Sequence, residues 1–126
     1  MLQMSRGAYA AAASDLTAAL RDVPDSREAR FARAMAYSKL GRYDDAARDL
    51  TQVSLAFSNE QFADSDEIYR VNFELGVACG RCGRFDQAVT ACSLALHARS
   101  DSLAARVERG RAHARSGRFA EALEDY

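Results

Sequence analysis

Two cysteines three apart, in Cys79-Gly-Arg-Cys82, are the residues most open to chemistry in this 126-residue chain. That spacing serves dithiol redox pairs and half of a zinc site. A redox pair is activated where a helix N-terminus stabilises the thiolate. Here the hydrophobic pattern puts the pair at the C-terminus of a helix, where the dipole opposes ionisation. Zinc takes about four ligands, and the chain offers neither a second C-x-x-C nor paired histidines. His97 and His113 stand alone, with no nucleophile or carboxylate spaced to work with them. No glycine-rich phosphate loop is present. The expectation is a non-enzyme that needs no metal or cofactor, with the cysteines serving as core packing.

A second group is cationic. Arg106, Arg109, Arg111, Arg115 and Arg118 crowd together with only Glu108 against them, a composition that could bind phosphate or an acidic partner. Helical spacing spreads these positions over more than one face, and the acidic stretch Glu60–Glu67 offers counter-charge. A solvated face is therefore expected in preference to a nucleic-acid site. The net charge of −1 gives the whole chain no bulk attraction for nucleic acid or an anionic membrane. Hydrophobic content of 48% with a single Pro excludes a disordered or Pro-rich class. No apolar run approaches a membrane span, and Met1-Leu-Gln-Met-Ser-Arg6 lacks the charged start and apolar core of a signal peptide. Three cysteines, an odd number, argue against a disulfide-stapled secreted module. A soluble, intracellular and cytoplasmic protein is expected.

The elements that must position these groups follow from one repeated stretch. Leu40-Gly-Arg-Tyr-Asp-Asp-Ala-Ala-Arg-Asp-Leu50 recurs, in pattern, as Arg6-Gly-Ala-Tyr-Ala-Ala-Ala-Ala-Ser-Asp-Leu16. It recurs again as Cys82-Gly-Arg-Phe-Asp-Gln-Ala-Val-Thr-Ala-Cys92 and as Ser116-Gly-Arg-Phe-Ala-Glu-Ala-Leu-Glu-Asp-Tyr126. Gly7, Gly41, Gly83 and Gly117 are separated by 34, 42 and 34 residues, and a period of this length marks stacked helical repeats. Each glycine is expected to close a helix in the left-handed conformation, and the aromatic two residues later to open the next. Asp44, Asp45, Asp86 and Glu121 then face the positive end of a helix dipole, while Lys39, Arg81 and Arg115 face the negative end of the preceding helix. Ala12, Ala46, Ala88 and Ala122 share a column that lets antiparallel helices approach closely. Superposed on the repeat, Cys79 falls in the column of Tyr37 and His113, and Cys92 in that of Leu50.

Residues 1–6 suggest the last turns of a helix whose beginning is absent, followed by a helix over 8–21 that Pro24 stops. Asp25 with Glu28 has capping-box spacing for the next helix, which runs to about Leu40. Its partner extends from after Gly41 to about Phe57, with Asp44 and Arg48 placed as an i,i+4 pair. Asp64 and Glu67 again have capping-box spacing, so a helix is expected from near Ser65 to about Cys82. Helices over 85–98 and 103–116 follow, the latter capped by Asp101 or Ser102, and a last helix starts near Phe119. Residues 1–126 thus divide into a partial repeat (1–26), a repeat (27–60), an insertion (61–68), a repeat (69–102) and a partial repeat (103–126). Both ends fall within a repeat and no polar capping helix follows. The expectation is a fragment of a longer array whose uncovered terminal repeats favour self-association.

The pattern resembles the tetratricopeptide repeat. Leu75-Gly76, Gly83-x-Phe85, Ala88 and Ala95 carry the likeness in one copy; Tyr37, Gly41-x-Tyr43, Ala46 and Leu50 carry it in another. The flanking copies keep Gly7-x-Tyr9, Ala12, Leu16, Ala19 and Pro24, and Gly110, Gly117-x-Phe119, Ala122 and Tyr126. Departures are Arg30, Asn72 and Arg106 at the early aromatic place, and Arg33 and Arg109 at the leucine place. The resemblance implies an all-α solenoid of antiparallel helix-turn-helix repeats wound as a right-handed superhelix. The first helix of each pair would line a concave groove for a peptide or protein partner. It places Phe31, Phe73 and Val107 in one groove row, Met35, Val77 and Arg111 in the next, and Lys39, Arg81 and Arg115 in a third.

An apolar floor with a basic edge suits an amphipathic or acidic peptide. Alternatively, the apolar rows serve inter-repeat packing and the basic row complements helix dipoles. Co-chaperones of this family bind acidic C-terminal tails through a carboxylate clamp, which would need Lys or Asn where this chain has Phe31, Met35 and Glu74, and Lys and Arg where it has Ala104 and Glu108. That clamp is not expected here. The expected function is a non-catalytic interaction scaffold, with a self-associating structural segment as the alternative.

Overall fold

The computed structural model describes residues 5–57 and 64–117. The expected last helix from Phe119, with Arg118 and Ala122, lies outside them, as do residues 1–4 and 58–63. The described residues form six helices and no strand: α1 (Arg6–Asp22), α2 (Arg27–Lys39), α3 (Tyr43–Phe57), α4 (Ser65–Arg81), α5 (Phe85–Ala98) and α6 (Leu103–Arg115). Each packs against its neighbours in sequence, and α4 packs against α6 as well. The architecture is an all-α solenoid of antiparallel helix hairpins.

The hairpin turns have a specific cause. Gly41 and Gly83 adopt φ 78° and 85°, a region that a side chain makes costly. The chain then turns back so that the Arg42 N–H donates to the Tyr37 carbonyl at 2.8 Å and the Arg84 N–H to the Cys79 carbonyl at 2.8 Å. Each bond satisfies a helix-end carbonyl that would otherwise lack a partner. Gly117 has φ 87° after α6. Gly7 does not follow this pattern. It lies inside α1 without positive φ, because the Ser5 hydroxyl accepts from the Ala8 N–H at 3.2 Å and starts the helix there.

Capping also shifts by one residue at α2, where the Ser26 hydroxyl, not Asp25, accepts from the Ala29 N–H at 3.1 Å. Asp64 caps α4 and Ser102 caps α6. Helix α4 has 17 residues against 13 in α2 and α6, the added turn lying at its N-terminus.

Small side chains let the hairpins close. Ala46, Ala47, Ala88 and Ala91 are buried and share one core with Leu50, Val53, Val71, Leu75 and Cys79. In α1 Ala13 and Leu20 are buried, while Ala12 is half-buried. At the α4–α5 crossing a Cβ on Gly76 would stand 2.4 Å from the Cys92 sulfur, so only glycine fits without a shift. A smaller cluster of Ala95, Leu96 and Ala105 takes Tyr69 and Phe73 against it.

Candidate functional site

Helices α2, α4 and α6 present the nine groove candidates, and the structure sorts them into three environments. Phe31 and Met35 are half-buried and pack on the main core. Phe73 stacks on Tyr69 with ring centroids 5.8 Å apart and leans on the second cluster. Lys39, Arg81, Arg111 and Arg115 are exposed, and Val77 and Val107 are half-buried.

Positions 70, 74, 77 and 81 recur at helical spacing, so Arg70, Glu74, Val77 and Arg81 form one stripe along α4. Two clefts open beside it. Near the N-terminus of α4, a cleft of about 280 Å³ is lined by Arg27, Glu28 and Phe31 of α2, Val53 and Phe57 of α3, and Glu67, Arg70 and Val71 of α4. The Arg70 guanidinium lies over the Phe31 ring at 4.9 Å and that of Arg27 over Phe57 at 5.3 Å. Near the C-terminus of α4, a cleft of about 310 Å³ is lined by Val77, Gly80 and Arg81, by Phe85, and by Glu108, Arg111, Ala112 and Arg115. Arg111 holds Glu108 at 3.0 Å. Between the clefts, burial pushes the Glu74 carboxyl up, and the charges of Arg70 and Lys39 only partly offset this.

Two other arginines of the fourth-repeat cluster, Arg106 and Arg109, bond within neighbouring segments. Arg106 donates to the Ser100 carbonyl at 3.1 Å and Arg109 to the Ser93 hydroxyl at 3.3 Å. Asp66, from the acidic stretch, pairs with Arg99 rather than with that cluster. The expected Asp44–Arg48 pair is replaced as well: Arg48 meets Asp45 at 3.4 Å, and Asp44 reaches across to Arg84 at 3.5 Å.

The cysteines sit as core residues. Cys79 and Cys92 are 1% and 0% exposed, and none of the three cysteines is in a disulfide. Burial, with the neighbouring Cys82, pushes the Cys79 thiol up to about 11. Burial and a hydrogen bond to Asp44 raise Cys82 too. A protonated dithiol is a poor nucleophile. Among the described residues, no group of three His, Cys, Asp or Glu is placed to hold a metal ion, and no helix is long and apolar enough to cross a membrane.

One feature escaped the sequence pattern. Arg33, at the leucine place, makes a two-pronged ion pair with Asp49 through bonds of 2.8 and 2.6 Å. It also donates to the Thr17 hydroxyl at 3.1 Å, tying α1, α2 and α3 together. Asp49 is 3% exposed. The signal lay in the chain itself: the same two positions 42 residues later are Leu75 and Ala91, so a charged pair replaces an apolar one. The opposite face holds a cleft of about 510 Å³ between α3 and α5, bordered by exposed Leu55 and Leu94.

Comparisons with known proteins bear on the family and the fold. Two family models, each described as tetratricopeptide repeat, match residues 3–64 and 73–126. The chain belongs to the tetratricopeptide repeat family. Repeats of this family are generally non-catalytic interaction modules. Solved structures of MamA share the fold: "MamA AMB-1" is 28% identical with a TM-score of 0.76, over 90% of this chain and 62% of that one. A further MamA crystal structure is 18% identical with a TM-score of 0.82, over 99% and 72%. MamA from Desulfovibrio magneticus RS-1 is 18% identical with a TM-score of 0.77, over 94% and 63%. The chain thus spans about three-fifths of the length of the AMB-1 protein. No curated protein matches it. In the repeat register that the sequence resemblance implies, α2, α4 and α6 correspond to first helices, the position that resemblance assigned to the groove.

Proposed function

We propose that the chain is a non-catalytic scaffold that binds a peptide or partner protein along the concave face of α2, α4 and α6. The supporting observation is the exposure of Lys39, Arg81, Arg111 and Arg115 on these helices, the three arginines lining a cleft with half-buried Val77 and Phe85. Phe31 and Phe73 contribute apolar surface but also hold the fold, so removing them tests stability and binding together. Photo-crosslinking residues placed at Lys39 and Val107 separate the two. Partner captured from Lys39 and Val107, and not from Leu94, is the expected result. Capture from Leu94 alone would move the interface to the α3/α5 face.

A second reading is self-association, favoured by Leu55 and Leu94, which are 57% and 46% exposed. Sedimentation across a concentration series decides it. A constant monomer mass would remove this reading.

A further inference from the structure

The stripe along α4 joins two clefts of unlike chemistry. The first is floored by Phe31, Phe57 and Val71, and its Arg27 and Arg70 are balanced by Glu28 and Glu67. It is neutral in sum and apolar at its base. The second brings Arg81, Arg111 and Arg115 around Val77 and Phe85 against one carboxylate, Glu108, which Arg111 already engages. It carries surplus positive charge. Arg70 and Arg81 are eleven positions apart, or about 16 Å along a helix at 1.5 Å per residue. About five residues of extended chain cover that distance. Glu74 lies between the clefts on the same stripe, so a polyanion running the length of the face would meet a carboxylate midway. A segment with its negative charge gathered at one end would not.

Resting on the reading that this face binds a protein partner, we propose that it takes one extended partner segment bearing two determinants. An apolar side chain enters the cleft at Phe31 and Phe57. Two carboxylates, about five residues away, meet Arg81, Arg111 and Arg115. Guanidinium–carboxylate bonds are directional and charge-assisted, so they would fix the segment's polarity, while the neutral cleft supplies burial.

The test uses fluorescence anisotropy on the full chain, with short peptides holding one leucine and two glutamates about five residues apart, in both orders. Controls replace the glutamates by glutamine, or the leucine by serine. One order is expected to bind, with each control about tenfold weaker and affinity falling as salt rises. Arg115→Glu alters an exposed side chain and should weaken the acidic peptide about tenfold, with the helical circular dichroism unchanged. Glutamine and glutamate peptides binding alike, an unaffected Arg115→Glu protein, or no binding in either order would overturn the proposal. So would a short RNA that displaces the peptide at lower concentration, since the cleft would then read phosphate. Partner crosslinking from Lys39 and Val107 that persists through such a failure would leave the scaffold reading standing.

Discussion

Arg33 and Asp49 show how a single pair can replace a stretch of apolar core. Their two short bonds hold a carboxylate that is 3% exposed, and the hydrogen bond to Asp49 raises the Arg33 pKa further. Removing one member of a buried pair leaves an uncompensated charge. Asp49→Ala is therefore expected to cost about 3 kcal/mol in urea unfolding. Adding Arg33→Leu copies the Leu75/Ala91 arrangement found later in the chain and should recover most of that loss. No recovery would show that the two repeats are not packed alike. Cys79 gives a pH signature. Its thiol ionises near pH 11 when folded but in the ordinary thiol range when unfolded. The unfolded chain thus releases its proton first, and the stability held below that range is lost as pH rises toward 11. Thermal melts from pH 8 upward should show the decline, and a Cys79→Ala protein a shallower one.

Helix crossings depend on what two facing elements leave room for. Gly76 admits the Cys92 sulfur, and its alanine variant would place a Cβ 2.4 Å from that atom. Gly76→Ala should cost about 1–3 kcal/mol through overpacking, and Cys92→Ala beside it should restore part of the loss. Full additivity of the two changes would mean that the side chains do not meet. Ala46 and Ala88 are 0% and 1% exposed at the equivalent crossings. Leucine at either position is expected to lower stability by a similar 1–3 kcal/mol, on the order of other core overpacking. At helix ends, by contrast, the determinant is local. Gly41 and Gly83 turn the chain because a helix has just ended before them. Gly7, with a serine cap before it, continues one.

Among the described residues, each helix packs on its neighbours in sequence, and α4 packs on α6 as well. Such quasi-one-dimensional arrays lose protection from their least-packed elements first. Helix α4 buries six residues, including Val71, Leu75 and Cys79, while α1 buries only Ala13 and Leu20. Native-state hydrogen exchange should therefore find α4 amides slowest and α1 amides faster. Equal protection in α1 and α4 would mean that the array unfolds as one unit. Stable central helices also suit a binding face built on α4, because its two clefts then keep their spacing.

Period, glycine turns and alanine columns were legible in the chain because they answer to local rules: a helix must end, turn and restart, and small residues must recur where backbones approach. Those rules gave the helix hairpins, the family, and the burial of Cys79 and Cys92. They also put Lys39, Arg81, Arg111 and Arg115 on α2, α4 and α6. Tertiary structure alone decided how the surplus charge is shared out. Arg33 turned inward to Asp49, Arg106 and Arg109 were taken up by Ser100 and Ser93, and Arg81, Arg111 and Arg115 were left around one cleft. A long, flexible guanidinium settles on whichever acceptor a neighbouring helix brings within reach, and that distance is fixed only once the helices have packed.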